Sequence, residues 1–175
     1  DLIRSRGLGD VYKRQTVNSG DTFFIQTGTV HAIGAGILLA EIQQTSDVTY
    51  RIFDWNRKDK YGNTRELHTA LAIDVIDFSK RDDHKVEYDQ KPNQRNAMVN
   101  SSYFKTDIIP LEGDVSINMD QLDSFVVLMA VDGNNEIIVD NNSYELPFGS
   151  TVLLPACLNS FTIQANNSKV LMITI

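Results

Sequence analysis

Residues 125–154 read FVVLMAVDGNNEIIVDNNSYELPFGSTVLL. Apolar runs at 125–131, 136–139 and 151–154 are separated by Asp132-Gly133-Asn134-Asn135, Asn141-Asn142 and Pro147-Phe148-Gly149. Runs rich in Val, Ile and Leu, bounded by Gly, Asn and Pro clusters, are the mark of short strands joined by tight turns. The pattern continues outward at 103–109, 161–164 and 170–175, with Asn166-Asn167 between the last two. Short strands at this spacing predict a sandwich or barrel. Nothing in this half of the chain gathers titratable groups.

The N-terminal side repeats the β signature. Asn18-Ser19-Gly20-Asp21 is a turn, and 22–25 reads as a strand. After Gln26-Thr27-Gly28, strands are expected at 29–33 and 37–43, joined by a hairpin at Gly34-Ala35-Gly36, where glycine supplies positive φ. Thr45-Ser46-Asp47 interrupts the run, and 48–53 resumes it. With a three-residue turn, Thr29 lies opposite Glu41, and Glu41 shares a face with His31. Counting on by twos reaches Gln43, Asp47 and Arg51, so one face would collect an imidazole, two carboxylates and a guanidinium. A one-residue slip, or a bend near Ser46-Asp47, would reset that parity.

One helix is expected over 64–78. Asn63 with Glu66 has the form of a capping box, and Leu67, Leu71, Val75 and Ile76 recur at helical spacing. Residues 80–100 are charged, contain Pro92, and read as a connector or solvated strand. Residues 1–15 show neither alternation nor a helical stripe, and the chain opens on Asp1 rather than Met. They read as an unmatched leader, foreign or ragged, ahead of the body of the protein.

Composition narrows the class. The 175 residues carry 16 Lys+Arg against 23 Asp+Glu, a formal charge of −7. Within 1–15, Arg4, Arg6, Lys13 and Arg14 outnumber Asp1 and Asp10 by two, which leaves −9 on the rest. Such an acidic chain, without basic-aromatic interleaving, argues against a nucleic-acid surface. No apolar run approaches the roughly 20 residues of a membrane span. The one cysteine, Cys157, excludes an internal disulfide and a cysteine cluster. Its apolar neighbours Leu153, Leu154, Ala156 and Leu158 suggest a buried small hydrophobe. A chain without disulfides and without a signal peptide suits a cytoplasmic, reducing compartment.

Three histidines are present. Taken alone, His31 on a strand reads first as structural or surface, with metal ligation the lesser reading. His68 follows the helix start and suggests a packed or supporting group, and His84 sits in the charged connector and reads as solvated. No HxH, HExxH or CxxC spacing occurs, so spacing alone makes a weak case for a metal. No G-x-S-x-G occurs, and Gly34-Ala35-Gly36 lacks the following helix that a phosphate loop requires.

The run from Gly20 to Arg57, GDTFFIQTGTVHAIGAGILLAEIQQTSDVTYRIFDWNR, resembles the type I mannose-6-phosphate isomerases, particularly their short bacterial form. Residues 61–78, with Arg65-Glu66-Leu67-His68, and the segment LPFGSTVLLPA at 146–156 are similar to the same family. The resemblance covers about residues 17–175. It implies a zinc-dependent aldose–ketose isomerase on a cupin β-barrel, acting on a small sugar phosphate. By this resemblance His31 is a zinc ligand, Arg51 an active-site arginine and Glu41 an acidic residue lining the same pocket. Asp47 matches less specifically and reads equally as a turn former. Arg57 would suit a phosphate, although a solvated loop arginine beside Lys58 and Lys60 is the favoured reading.

Family members carry further zinc ligands, a Gln-x-His pair and a Glu, in a portion preceding this motif, and residues 1–15 do not resemble it. The expected architecture is therefore mainly β: a cupin-type jelly-roll or barrel, incomplete on its N-terminal side, over 16–90 with helix 64–78, then a small β-sandwich-like domain over 91–175. The chain alone is expected to be inactive, to offer one zinc ligand, and to tend to aggregate or be partly disordered around 16–60. A non-catalytic cupin that binds sugar is the alternative.

Overall fold

The computed structural model describes residues 15–46, 48–79 and 84–175. The leader residues 1–14 and Asp47 lie outside the described residues. The fold is mainly β with a single short helix among the described residues.

The C-terminal half carries the core. β3 (Asn96–Asn100), β4 (Lys105–Leu111), β6 (Val126–Asp132), β9 (Thr151–Leu154) and β11 (Ser168–Thr174) form one sheet in the order β3-β4-β11-β6-β9. β5 (Val115–Asn118), β7 (Asn135–Val139), β8 (Asn142–Leu146) and β10 (Ser160–Gln164) form a second, ordered β5-β10-β7-β8. From β4 onward the chain steps back and forth between the sheets, pausing in one only for the β7–β8 hairpin, and every pairing is antiparallel. This is jelly-roll logic: sequence neighbours face each other across the core instead of pairing. Neither sheet closes into a barrel.

Alternation along the strands fills the space between the sheets. Val126, Leu128 and Ala130 of β6 are buried while Val127, Met129 and Val131 are only partly so. With Ile109, Ile137, Phe161, Ile163, Val170 and Met172 they make one continuous apolar cluster. Turn chemistry closes the ladders. Asp140 and Asn141 both adopt positive φ, 48° and 63°, as the two-residue loop between paired Val139 and Asn142 requires. Gly133, at φ 66°, lets the β6–β7 turn approach Ser168, since a Cβ there would lie 2.7 Å from the Ser168 Cβ. Pro110 is tolerated within β4 because β3 pairing begins only at Ile108, and the Pro110 carbonyl instead accepts Asn93 N–H at 2.7 Å.

The other half has little regular structure. β1 (Thr22–Phe23) pairs with β2 (Lys85–Val86), reinforced by the Asp21–Lys85 ion pair at 2.8 Å. That pairing ties residues 20–24 to the connector. The strands expected at 29–33, 37–43 and 48–53 are not formed, although the turn at Ala35-Gly36 is, with Gly36 at φ 77°. Without strand pairing across 29–43, the parity argument for His31 and Glu41 has no ladder to act on.

The expected helix 64–78 shortens to α1 (Thr69–Ile73), with His68 rather than Asn63 at its N-cap. The competing bonds explain this. Asn63 donates its backbone N–H and side-chain amide to the Asp59 carboxylate, at 2.9 and 3.3 Å. Thr64 is held in an isolated bridge with Lys58, and Arg65 is drawn to Asp54. Beyond α1, Asp77 N–H donates to the Gly28 carbonyl at 3.0 Å, where a Cβ on Gly28 would meet the Val75 carbonyl at 2.7 Å. Cys157 is exposed, not buried: it lies in the turn after β9, where Leu158 N–H bonds the Pro155 carbonyl.

Candidate functional site

His31 is exposed, and its Nδ1 lies 2.9 Å from the Thr29 carbonyl. A carbonyl only accepts, so Nδ1 is the donor and Nε2 is left with a free lone pair. This is the arrangement by which a ligating histidine is commonly oriented. Glu41 is also exposed.

Arg51 is better anchored. Its backbone N–H donates to His68 Nδ1 at 3.1 Å, while the His68 N–H donates to the Arg51 carbonyl at 2.7 Å. Its guanidinium Nη1 reaches the Glu66 carbonyl at 3.4 Å. His68 is half-buried, with its ring tilted against Tyr50 at a centroid distance of 6.2 Å. It is thus the packed supporting group the sequence suggested. His84 is half-buried rather than solvated, and its carbonyl accepts Phe24 N–H at 2.9 Å.

Sequence reasoning missed the strongest electrostatic feature of this half. Asp54 is buried, and both its oxygens are engaged by Arg65, with Nε donating at 2.8 Å and Nη2 completing a bidentate pair. The hydrogen-bonded Arg65 guanidinium, and then the charges of Arg51 and Arg57, hold the Asp54 carboxyl below the ordinary carboxylate range. No motif announces the pair; opposite charge at positions 11 residues apart is its one signal. Asp59, by contrast, organises its own loop. Backbone N–H groups, chiefly that of Asn63, keep its carboxyl low as well.

The metal expectation meets a limit. Among the described residues no three His, Cys, Asp or Glu side chains converge as a metal-binding group. His31 fits as one donor, but the described residues do not build a metal centre by themselves. An open depression of about 640 Å³, lined by residues such as Tyr88, Lys91, Arg95 and Asn96, lies on the connector and includes none of His31, Glu41 or Arg51. No helix among the described residues is long and apolar enough to cross a membrane.

Comparison with known proteins agrees with this architecture. Residues 93–174, the two-sheet domain, match the family model described as mannose-6-phosphate isomerase, cupin domain. The mannose-6-phosphate isomerase ManA of Bacillus subtilis is 35% identical over 165 residues, covering 93% of this chain and 52% of that protein. The mannose-6-phosphate isomerase of Streptococcus mutans is 33% identical over 151 residues, covering 86% of this chain and 47% of its own length. The crystal structure of the Bacillus subtilis mannose 6-phosphate isomerase superposes with a TM-score of 0.63 at 25% identity, over 74% of this chain and 41% of that one. The chain spans about half the length of the curated relatives it matches. These matches place the chain in the mannose-6-phosphate isomerase family, as the counterpart of the C-terminal portion of its members.

Proposed function

We propose that the chain contributes part of the active site of a zinc-dependent aldose–ketose isomerase that interconverts mannose 6-phosphate and fructose 6-phosphate. The observation that carries this reading is the Arg51–His68 clamp. It fixes the backbone of the motif arginine on both sides and leaves its guanidinium exposed enough to meet a ligand. The names of the matched relatives supply the substrate class.

Isomerisation moves a carbonyl between C1 and C2 through an enediol, with a proton transferred on one face. A guanidinium offers a planar fork of charged donors, so Arg51 can hold a sugar oxygen as negative charge develops on it. Glu41 is the carboxylate assigned to accept and return the proton, or to orient the group that does. Zinc would polarise the sugar oxygens. His31 is assigned to it as a single ligand, and its remaining donors must come from outside the described residues. The region 16–90 is accordingly read as the C-terminal part of the catalytic barrel, ahead of a β domain at 91–175. The setting is cytoplasmic, where sugar phosphates are found.

The chain alone is therefore expected to show no isomerase turnover with added zinc, measured by coupling fructose 6-phosphate formation to a reporter enzyme. Robust turnover would overturn the reading that its zinc ligands are incomplete. The absence of a three-ligand group among the described residues also favours a second reading, a non-catalytic cupin that binds sugar. Saturable binding of underivatised mannose, without turnover in any complemented form, would select it.

A further inference from the structure

Residues 51–68 leave and return as an irregular hairpin whose two arms are stitched together along their length. At the foot, Arg51 faces His68, and each is bonded to the other. Three residues further along both arms, Asp54 faces Arg65 in a bidentate pair. Nearer the tip, Lys58 bridges Thr64 in the antiparallel sense, and Asp59 N–H donates to the Asn63 carbonyl at 2.9 Å. The two pairings at the foot share one register, and the two at the tip share another. The turn at 54–57, closed by Arg57 N–H on the Asp54 carbonyl at 2.9 Å, takes up the extra residues between them. Asp54 therefore sits where the register changes, and its pairing with Arg65 keeps the foot of the hairpin aligned.

That alignment reaches the Arg51 side chain by a short route. Arg51 Nη1 lies 3.4 Å from the Glu66 carbonyl, and Glu66 follows Arg65 in the chain. Fixing the Arg65 guanidinium on Asp54 fixes the backbone beside it, and with it the carbonyl that Arg51 faces. The His68 bonds hold the Arg51 backbone only, which leaves a long side chain with its rotamers still to be chosen. The Asp54 carboxylate also acts on the Arg51 charge directly, since Arg51 is among the cations that keep it ionised. Asp54 is 8% exposed, whereas the Arg65 side chain is 54% exposed. A half-exposed ion pair adds little stability, and burying a carboxylate costs solvation. What the bidentate geometry supplies is direction.

We propose that Asp54, acting through Arg65 and the Glu66 carbonyl, is a positioning residue that sets where the Arg51 guanidinium stands. The proposal rests on the isomerase reading, which makes Arg51 the group that meets the sugar.

The test has two arms. In the isotope-labelled chain, the Arg51 Nε–H resonance, identified by its loss in Arg51→Lys, reports the guanidinium's surroundings without any turnover. It is expected to shift in Asp54→Asn and in Arg65→Lys, which keeps the charge but loses the fork; an unmoved resonance in both overturns the proposal. The second arm is kinetic, in a chimera where residues 15–175 replace the matching C-terminal portion of the Bacillus subtilis enzyme. There Asp54→Asn should lower kcat about tenfold with KM within about twofold of the parent, the split expected when a group that acts in the transition state is misplaced. Added to Arg51→Ala, Asp54→Asn should cost less than about a further twofold, because residues acting through one another are not additive. A folded Asp54→Asn form with parental kcat, a loss confined to KM, or losses that multiply in the double variant would each overturn the positioning role. Where Asp54→Asn does not fold, Arg65→Lys, altered at a half-exposed side chain, carries the same comparisons. A parent chimera without turnover would count against the isomerase reading alone, and the resonance would still decide whether Asp54 positions Arg51.

Discussion

Arg51 and His68 are bonded in both directions: the Arg51 N–H donates to His68 Nδ1 at 3.1 Å, and the His68 N–H donates to the Arg51 carbonyl at 2.7 Å. A side-chain acceptor and a backbone donor from the start of α1 thus fix one residue of an otherwise irregular segment. His68→Ala removes the acceptor, and the Arg51 N–H then has to find water. The cost is about 1–2 kcal/mol, that of a part-buried hydrogen bond with its donor left unpaired. His68→Asn places an amide oxygen near the former Nδ1 and is expected to recover more than half of the loss. Thermal melts of the two variants, with limited proteolysis between residues 48 and 68, check this.

Asp54 and Arg65 give the N-terminal half an acid-sensitive lock. Hydrogen bonding to Arg65 is the main cause of the depressed Asp54 carboxyl. A group whose folded-state pKa lies below its unfolded value stabilises fully above the unfolded value and loses that contribution as pH falls through the folded one. Stability from the pair is therefore present at neutral pH and lost in the acid range below the ordinary carboxylate pKa. Asp54→Asn is expected to lower the melting temperature at pH 7 and to flatten this part of the acid-side decline. Melting curves of parent and variant from pH 7 down to pH 3 test both.

The two glycines at 113 and 133 separate steric demand from simple turn propensity. Gly133→Ala would set a Cβ against Ser168 and Asn167 at a positive φ of 66°, and is expected to cost about 2 kcal/mol or more. Gly113 meets open space with no positive φ, so Gly113→Ala should change stability by less than about 0.5 kcal/mol. Chemical denaturation of the two variants distinguishes them.

Leucines in the two halves should behave oppositely. Leu128 is fully buried between the sheets, and Leu128→Ala is expected to cost about 2–5 kcal/mol. Leu38 is 84% exposed, so Leu38→Ala should fall within about 0.5 kcal/mol of the parent. Leu38 belongs to a group of exposed apolar residues that includes Val30, Ile33, Ile37 and Leu39. Exposed apolar surface on this scale promotes association, and Leu38→Ser is expected to raise solubility more than Leu128→Ala lowers the apparent monomer yield. Equilibrium denaturation and sedimentation measure the two effects.

Most of the sandwich was legible in the sequence because local and global signals agree there. β6 is an apolar run bounded by turn residues, as a strand buried between two sheets requires, and the Asp140-Asn141 turn takes the φ values its residues favour. β8 was not legible: as an edge strand with four of its five residues exposed, Asn142–Leu146 carries no apolar alternation. β3 was hidden inside the charged connector for the same reason, since Asn96, its buried residue, is polar and satisfied by the Lys91, Gln94 and Ile108 carbonyls. The helix was over-read because Asn63 and Arg65 serve acidic partners at Asp59 and Asp54 instead of capping it. Of the candidate site, His31, Glu41 and Arg51 were singled out from the motif. The Asp54–Arg65 pair and the His68 acceptor depend on chain crossings that no local pattern encodes.

The most direct measurement is isomerase turnover of a chimera in which residues 15–175 replace the matching C-terminal portion of the Bacillus subtilis enzyme. The chimera is expected to interconvert mannose 6-phosphate and fructose 6-phosphate, and Arg51→Ala within it should lower kcat/KM about a hundredfold or more, as loss of an oxyanion contact does. A folded chimera without turnover, or an Arg51→Ala form as active as its parent, would contradict the assignment.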